Sequence, residues 1–329
     1  MTNRRNFLAT ASLGVTIPFA FSQDALAQSA SKATRLIVPF PAGGGTDAVA
    51  RMMASRLATE YPTGLLVDNR PGAAGRLGVE YVKDIEPDGK TILFTTDFTI
   101  TMYPFSYRKL NYSPLQDFMP VASCGGAGYA IVAGPGLPAN VNNIQQFTAW
   151  AKANPKLASF ASTSAGSGSH FIGIMLSRAI GAELLHVPYK GGAPALQDLM
   201  GGQIPVSINP IGEVVPQLNS GKVRVLATTG AQRSRFLPDA PTLVEAGFKD
   251  MVIEFWVGAF MPAKTPVDIV NKTAALFNSV LQKQELKDGF RGIGMETAQG
   301  TPASFTATIK SDMERWGPVI KAAGFTAED

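Results

Sequence analysis

Twice in this chain a short apolar run stops at glycines and resumes as a helical pattern. The first instance is "RLIVPFPAGGGTDAVAR" over residues 35–51, and the second is "LLHVPYKGGAPALQDLMGG" over 184–202. A glycine- and serine-rich segment, "SFASTSAGSGSHF" over 159–171, leads into a third helical stretch. Short apolar runs alternating with longer amphipathic ones belong to βα units, which stack parallel strands under helices on both faces. Strands are predicted over 35–40, 65–68, 91–95, 130–133, 182–187, 204–208 and 223–228. Helices are predicted over 47–61, 77–83, 144–153, 169–180, 193–200, 266–281 and 302–323. In the first helix Val49, Met53 and Leu57 recur at spacing four, and the last two helices open at prolines suited to a first turn.

Two places read as crossings between lobes: "SCGGAGYAIVAGPG" over 123–136, and "GFKDMVIEFWVGAFMPAKTP" over 247–266. If the chain passes over and back there, residues 31–130 and 253–329 form one discontinuous lobe and 131–252 the other, with a cleft between them.

The first residues lie outside that pattern. Arg4 and Arg5 precede an uncharged stretch from Phe7 to Phe21, and Ala25-Leu26-Ala27 is a small-x-small cleavage site. This is a secretory signal over 1–27, and its apolar stretch is shorter than the ~20 residues a membrane span needs. Arg4-Arg5 before Asn6-Phe7-Leu8 is similar to a twin-arginine motif, although Asn3 stands where Ser or Thr is usual, so the general secretory route stays open. Cleavage after Ala27 leaves 329 − 27 = 302 residues and a formal charge of +3, since Arg4, Arg5 and Asp24 depart from a total of +4. Spread over such a chain, this charge is no nucleic-acid footprint. The single cysteine, Cys124, cannot form an internal disulfide, so the fold rests on its core. A soluble periplasmic protein is expected.

The glycine loops carry the candidate chemistry. Gly43-Gly44-Gly45 lets the backbone turn tightly and approach a ligand, and the following helix start favours negative charge. Asp47 is itself negative and is assigned to the cap. The same residues are equally readable as a plain strand-to-helix turn. In the second loop, Lys190 adds a positive charge beside Tyr189 and Gly191. In the third, Ser162, Thr163, Ser164, Ser167 and Ser169 surround Gly166 and Gly168, where hydroxyls and free N–H groups suit an oxyanion. A turn at "NRPGAAGRLG" over 69–78 reads as structural, packed against the first loop. His170 and His186 are the only histidines; with no third ligand at metal spacing they read as a helix-start and a strand residue.

The enzyme rival is a dinucleotide site. Gly43, Gly45 and Ala48 satisfy G-x-G-x-x-[GA], and Asp68 follows about 20 residues on. Against it, Pro39 and Pro41 bracket the strand end, and the second lobe offers no catalytic constellation. "GSGSH" over 166–170 misses the spacing of a nucleophile elbow. An exported nicotinamide-dependent oxidoreductase remains the alternative.

Taken together, "VPFPAGGGTDAVAR", "VDNRPGAAGRLG", "PDGKTILF", "HVPYKGGAPALQDLMGGQIP" and "DAPTLVEAGF" resemble the Bug/TctC family, periplasmic solute-binding proteins of tripartite tricarboxylate transporters. The resemblance covers the chain from about residue 35 to its end. It implies a two-lobed periplasmic-binding-protein-like α/β fold, with two mostly parallel sheets and a ligand cleft, closing on a small carboxylate. By resemblance the first-lobe grip falls on Phe40, Pro41, Gly43, Gly44, Gly45 and Asp47. The second-lobe grip falls on Ser162, Thr163, Ser164, Ser167, Ser169, Tyr189, Lys190 and Gly191. Thr96 and Asp97 in "TTDFT" and Asn209 in "VSIN" join the candidate ligand contacts. Asp97 is unusual where small polar residues are common, and suits a hydroxyl or amine. Relatives often carry an acidic or aromatic residue before the helix that follows "VSIN"; Ser207, Asn209 and Pro210 stand here, which disfavours an amino-acid ligand. The implied partner is a two-subunit membrane permease. No catalysis, cofactor, metal or nucleic acid is expected, and the protein is expected to be a monomer.

Overall fold

A computed structural model describes residues 33–327; the secretory signal read from the sequence lies outside them. Ten strands form one mixed sheet: β1 Thr34–Val38, β2 Leu65–Asn69, β3 Thr91–Thr96, β4 Phe118–Ala133, β5 Ser159–Ser162, β6 Leu185–Pro188, β7 Val206–Pro210, β8 Arg224–Thr228, β9 Glu254–Pro262 and β10 Glu296–Thr297. Their order is β2-β1-β3-β9-β4-β7-β5-β6, with β8 and β10 also paired to β4. Each flank is parallel, β1 with β2 and β3 on one side and β5 with β6 and β7 on the other. The centre is antiparallel, because β9 runs against β3 and β4, and β4 against β7 and β8. The expected parallel sheets are therefore the two flanks, and two antiparallel strands join them.

Burial explains the composition of the strands. In β1, Leu36 and Val38 enter one core with Phe94, Cys124 and Phe277, whereas Ile37 enters the opposite one with Leu93, Phe260 and Phe305. Covering both faces of a parallel strand requires a continuous apolar run, and each fully buried side chain of this size contributes roughly 1.5–3 kcal/mol. In the other half, β4 does the same: Ile131 and Ala133 join Phe160 and Phe171, while Ala130 and Val132 join Leu196 and Leu199.

The strand β4 is the central element. Over its first part it pairs with β9, from Phe118 opposite Pro262 to Gly128 opposite Glu254. From Tyr129 onward it pairs with β7 and β8 instead. The glycines of "SCGGAG" sit in the first part, where the β4–β9 register shifts twice. A Cβ on Gly126 would lie 2.2 Å from the Phe255 carbonyl oxygen, so only glycine lets the strands cross this closely.

Candidate functional site

Helix starts and strand ends from both flanks converge on a cleft of about 720 Å³. On one wall, β1 runs out through Phe40 and Pro41 into the glycine turn, and the helix Gly45–Leu57 begins there. Gly44 caps that helix without any side-chain hydrogen bond, so the first-turn amides are left for another acceptor. The turn is held from behind. Gly43, at φ +84°, donates its N–H to Asp47 Oδ2 at 2.8 Å. The same carboxylate accepts from Arg51 Nε at 2.9 Å and from Asn69 Nδ2 at 2.8 Å. Burial opposes ionisation of Asp47, but the bonds from Arg51, the Gly43 amide and Asn69 hold its carboxyl below the usual range. Beneath the loop, a Cβ on Gly78 would lie 2.7 Å from Pro39 Cβ, and one on Gly75 would lie 3.0 Å from the Phe40 ring. The 69–78 turn is thus a packed support.

Asp47 is 2% exposed, and Asp47→Ala would leave the loop amide, Arg51 and Asn69 without their shared acceptor. We expect a loss of about 2–4 kcal/mol in urea unfolding, the cost of a broken buried hydrogen-bonded charge.

The opposite wall joins two loops. Tyr189 N–H donates to Ser162 O at 3.0 Å, and Gly191 N–H to Thr163 O at 2.7 Å. Gly191, at φ +110°, caps the helix Gly192–Met200 with no side-chain bond. The serine loop differs, because Ser167 caps the helix Gly168–Ile180 by accepting from His170 N–H. Its hydroxyls bond one another: Ser169 Oγ accepts from Thr163 N–H at 3.0 Å and lies 2.9 Å from Ser167 Oγ. Two of the three glycine loops therefore offer bare helix starts, and the third is largely self-satisfied.

Of the residues assigned from sequence, Phe40, Pro41, Gly44, Gly45, Thr96, Asp97, Thr163, Ser164, Ser167, Lys190 and Gly191 line the cleft. The other six stand behind or beside it. Gly43 and Asp47 brace the first loop. Ser162 Oγ is held by His186 Nε2 at 2.7 Å, and Ser169 by the serine network. The Tyr189 hydroxyl donates to Asp198 Oδ2 at 2.8 Å. Asn209 is fully buried and donates from Nδ2 to Glu213 Oε2 at 3.0 Å.

Glu213, which sequence reasoning missed, lines the cleft with Phe98, Tyr129 and Phe255. It is the third residue of the helix Ile211–Leu218, so the acid sought before that helix is supplied just inside it. Glu213 reaches the open cleft, yet its walls crowd it; that burial raises its carboxyl, with the Asn209 bond acting against it. Asp97 lies much deeper. Burial first, then the nearby Asp312, raises its carboxyl well above the usual range, against the Phe98 and Asp97 amides and Arg315. Asp68, the acid of the dinucleotide fingerprint, is engaged by Arg70 Nε at 3.2 Å and Arg35 at 3.6 Å. The two histidines stack on each other, ring centroids 3.8 Å apart, beneath the serine loop. Among the described residues no three His, Cys, Asp or Glu side chains group as metal ligands, and no helix is long and apolar enough to cross a membrane.

The chain is similar to known proteins over most of its length. BugT of Bordetella pertussis is 30% identical over 291 residues, covering 88% of this chain and 89% of its own. An R. palustris protein solved with adipate superposes with TM-score 0.81 at 31% identity, over 90% of this chain and 98% of that one. MatC from Rhodopseudomonas palustris with bound malate gives TM-score 0.76 at 28% identity, over 88% and 99%. The family described as "Tripartite tricarboxylate transporter family receptor" matches residues 49–325. With that family matching residues 49–325, most of the described fold, the chain belongs to the TctC family of periplasmic solute-binding receptors.

Proposed function

We propose that this protein is an extracytoplasmic receptor that captures a small carboxylate and releases it unchanged to a two-subunit membrane permease of the tripartite tricarboxylate type. One observation carries the reading: the helices Gly45–Leu57 and Gly192–Met200 begin, without side-chain caps, on the walls of the same cleft. Such starts present amides and a favourable dipole to an acid group. The relatives solved with adipate and malate support an organic acid as cargo. Residues 31–130 with 253–329 would form one lobe and 131–252 the other, closure being driven by a ligand that touches both. The reading is non-catalytic, monomeric and periplasmic, with the signal over 1–27 removed on export.

Thermal shift of the mature chain against a panel of carboxylic acids, with NAD and NADP alongside, tests it. An acid should raise the melting temperature by several degrees at saturating concentration. Stabilisation by a nucleotide alone would replace the receptor with the oxidoreductase. Lys190 is exposed at the cleft, and a charge in water contributes little. Lys190→Ala should therefore weaken acid binding by tenfold or less in calorimetry; a larger loss would move the anion grip from the amides to this side chain.

A further inference from the structure

We propose that the ligand is a zwitterion, whose carboxylate takes the amides at residues 45–46 and whose ammonium group is met by Thr96, Asp97 and Glu213. The inference rests on the receptor reading and specifies its cargo.

The first support is unmet hydrogen bonding. Thr96 Oγ1 and Asp97 Oδ1 are buried with no hydrogen-bond partner, although Thr96 is only 8% and Asp97 only 3% exposed. Both residues line the cleft. A buried orphan costs about 1–3 kcal/mol, and one facing a binding cleft is answered by whatever binds. The Thr96 hydroxyl can donate or accept and so answers either end of a ligand, but the Asp97 oxygen accepts: a second carboxylate brings only acceptors, whereas an ammonium brings three donors.

Charge points the same way. Lys190 is the one cationic side chain on the cleft wall among the described residues, against two acids. Behind Asp97 the Arg315 cation acts on it but is shared with other groups. Arg315 is committed to Asp312 and to the Val252 carbonyl at 2.7 Å, and Asp312 also accepts from Trp256 Nε1 at 2.8 Å. Tyr129 feels both cleft acids, each of which adds to the effect of burial on its phenol, and all three line the cleft.

Glu213 also bears on what the second wall accepts. A Cβ on Gly192 would lie 1.7 Å from Glu213 Oε2, so this carboxylate stands beside the start of the helix Gly192–Met200 without capping it. An arriving anion would meet it as a like charge; an arriving cation would pair with it. The aromatic rings around these acids suit a cation further. Phe40 and Phe98 meet at 5.7 Å and Tyr129 and Phe255 at 5.6 Å, all four on the cleft wall, and ring faces attract ammonium groups.

Calorimetry on the mature chain with adipate, its ω-hydroxy and its ω-amino counterparts, and the same three variants of succinate, decides the matter. The ω-amino acid should bind at least tenfold tighter than the dicarboxylate at the better chain length, with the hydroxy acid between them. Asp97→Asn keeps the shape, and Glu213→Gln does the same at the other acid. Each should erase that preference, with melting curves confirming the fold. A dicarboxylate that binds tighter than its amino counterpart, or a preference unmoved in both variants, overturns the zwitterion and leaves the receptor standing. Failure of all six acids to bind overturns both.

Discussion

Gly45→Asp is expected to abolish acid capture while leaving the protein as stable as before. Gly45 is the first residue of the helix Gly45–Leu57, faces the cleft, and has nothing within 4 Å of an added Cβ. Its φ lies outside the glycine-only region, so the new side chain fits without strain. A carboxylate there is favourable to the fold, since an acid in the first turn gains about 0.3–1 kcal/mol from the helix dipole. It is adverse to the ligand, because it occupies the amides that the acid would use and adds a like charge to the cleft. Acid affinity should fall by at least about a hundredfold, a loss of roughly 2.7 kcal/mol. Gly45→Asn, similar in size but neutral, should retain more of the binding. Calorimetry and thermal melting together check the opposite signs. Binding within threefold of wild type would mean that the first loop is a turn and nothing more.

The sequence made much of this legible because its strongest signals are local. Gly43 and Gly191, both at positive φ, mark turns whose geometry only glycine accommodates cheaply, and the structure opens helices just after both. The long C-terminal helix is readable from Pro302, the first residue of Pro302–Ala323, and the structure adds a capping box at Thr301. Other features were hidden because they arise from pairing across distance. The run at 130–133 is only the tail of the sixteen-residue strand β4, whose glycines disguise its first part. The helix Ile211–Leu218 begins after Pro210 and contains Pro216, two residues that read as breakers and hide the element that carries Glu213. Asp97 stood out as unusual, but its isolation comes from the helix Pro302–Ala323, which brings Asp312 and Arg315 behind it. His170 and His186, read as unrelated, are brought ring to ring by adjacent βα units.

That histidine pair should make the fold acid-sensitive well above the range where carboxylates protonate. His170 Nδ1 accepts from Gly166 N–H at 3.1 Å, and His186 Nε2 meets Ser162 Oγ at 2.7 Å. Phe160 stacks on one ring and Phe171 on the other. Burial, and for His170 also the neighbouring His186, pushes the pKa down to about 3 for His170; burial alone pushes it to about 4 for His186. In the unfolded chain both return to about 6.5. Between those limits the unfolded state binds more protons than the native one, so stability rises with pH. The contribution is complete above about pH 6.5 and is lost progressively as pH falls toward 4. Each imidazole can add up to about 1.4 kcal/mol per pH unit in that window. Asp97 and Glu213, whose carboxyls are raised, work in the opposite direction, and a variant is needed to isolate the histidines. Urea unfolding at pH 7 and pH 5 should show wild type losing about 2 kcal/mol or more. His186→Gln keeps a hydrogen-bonding group for Ser162 and removes one titrating ring. Its starting stability should be lower, but its decline on acidification about half as steep. An unfolding midpoint unchanged between the two pH values, or a variant that declines as steeply as wild type, would show that the stacked pair does not control the acid limit of this fold.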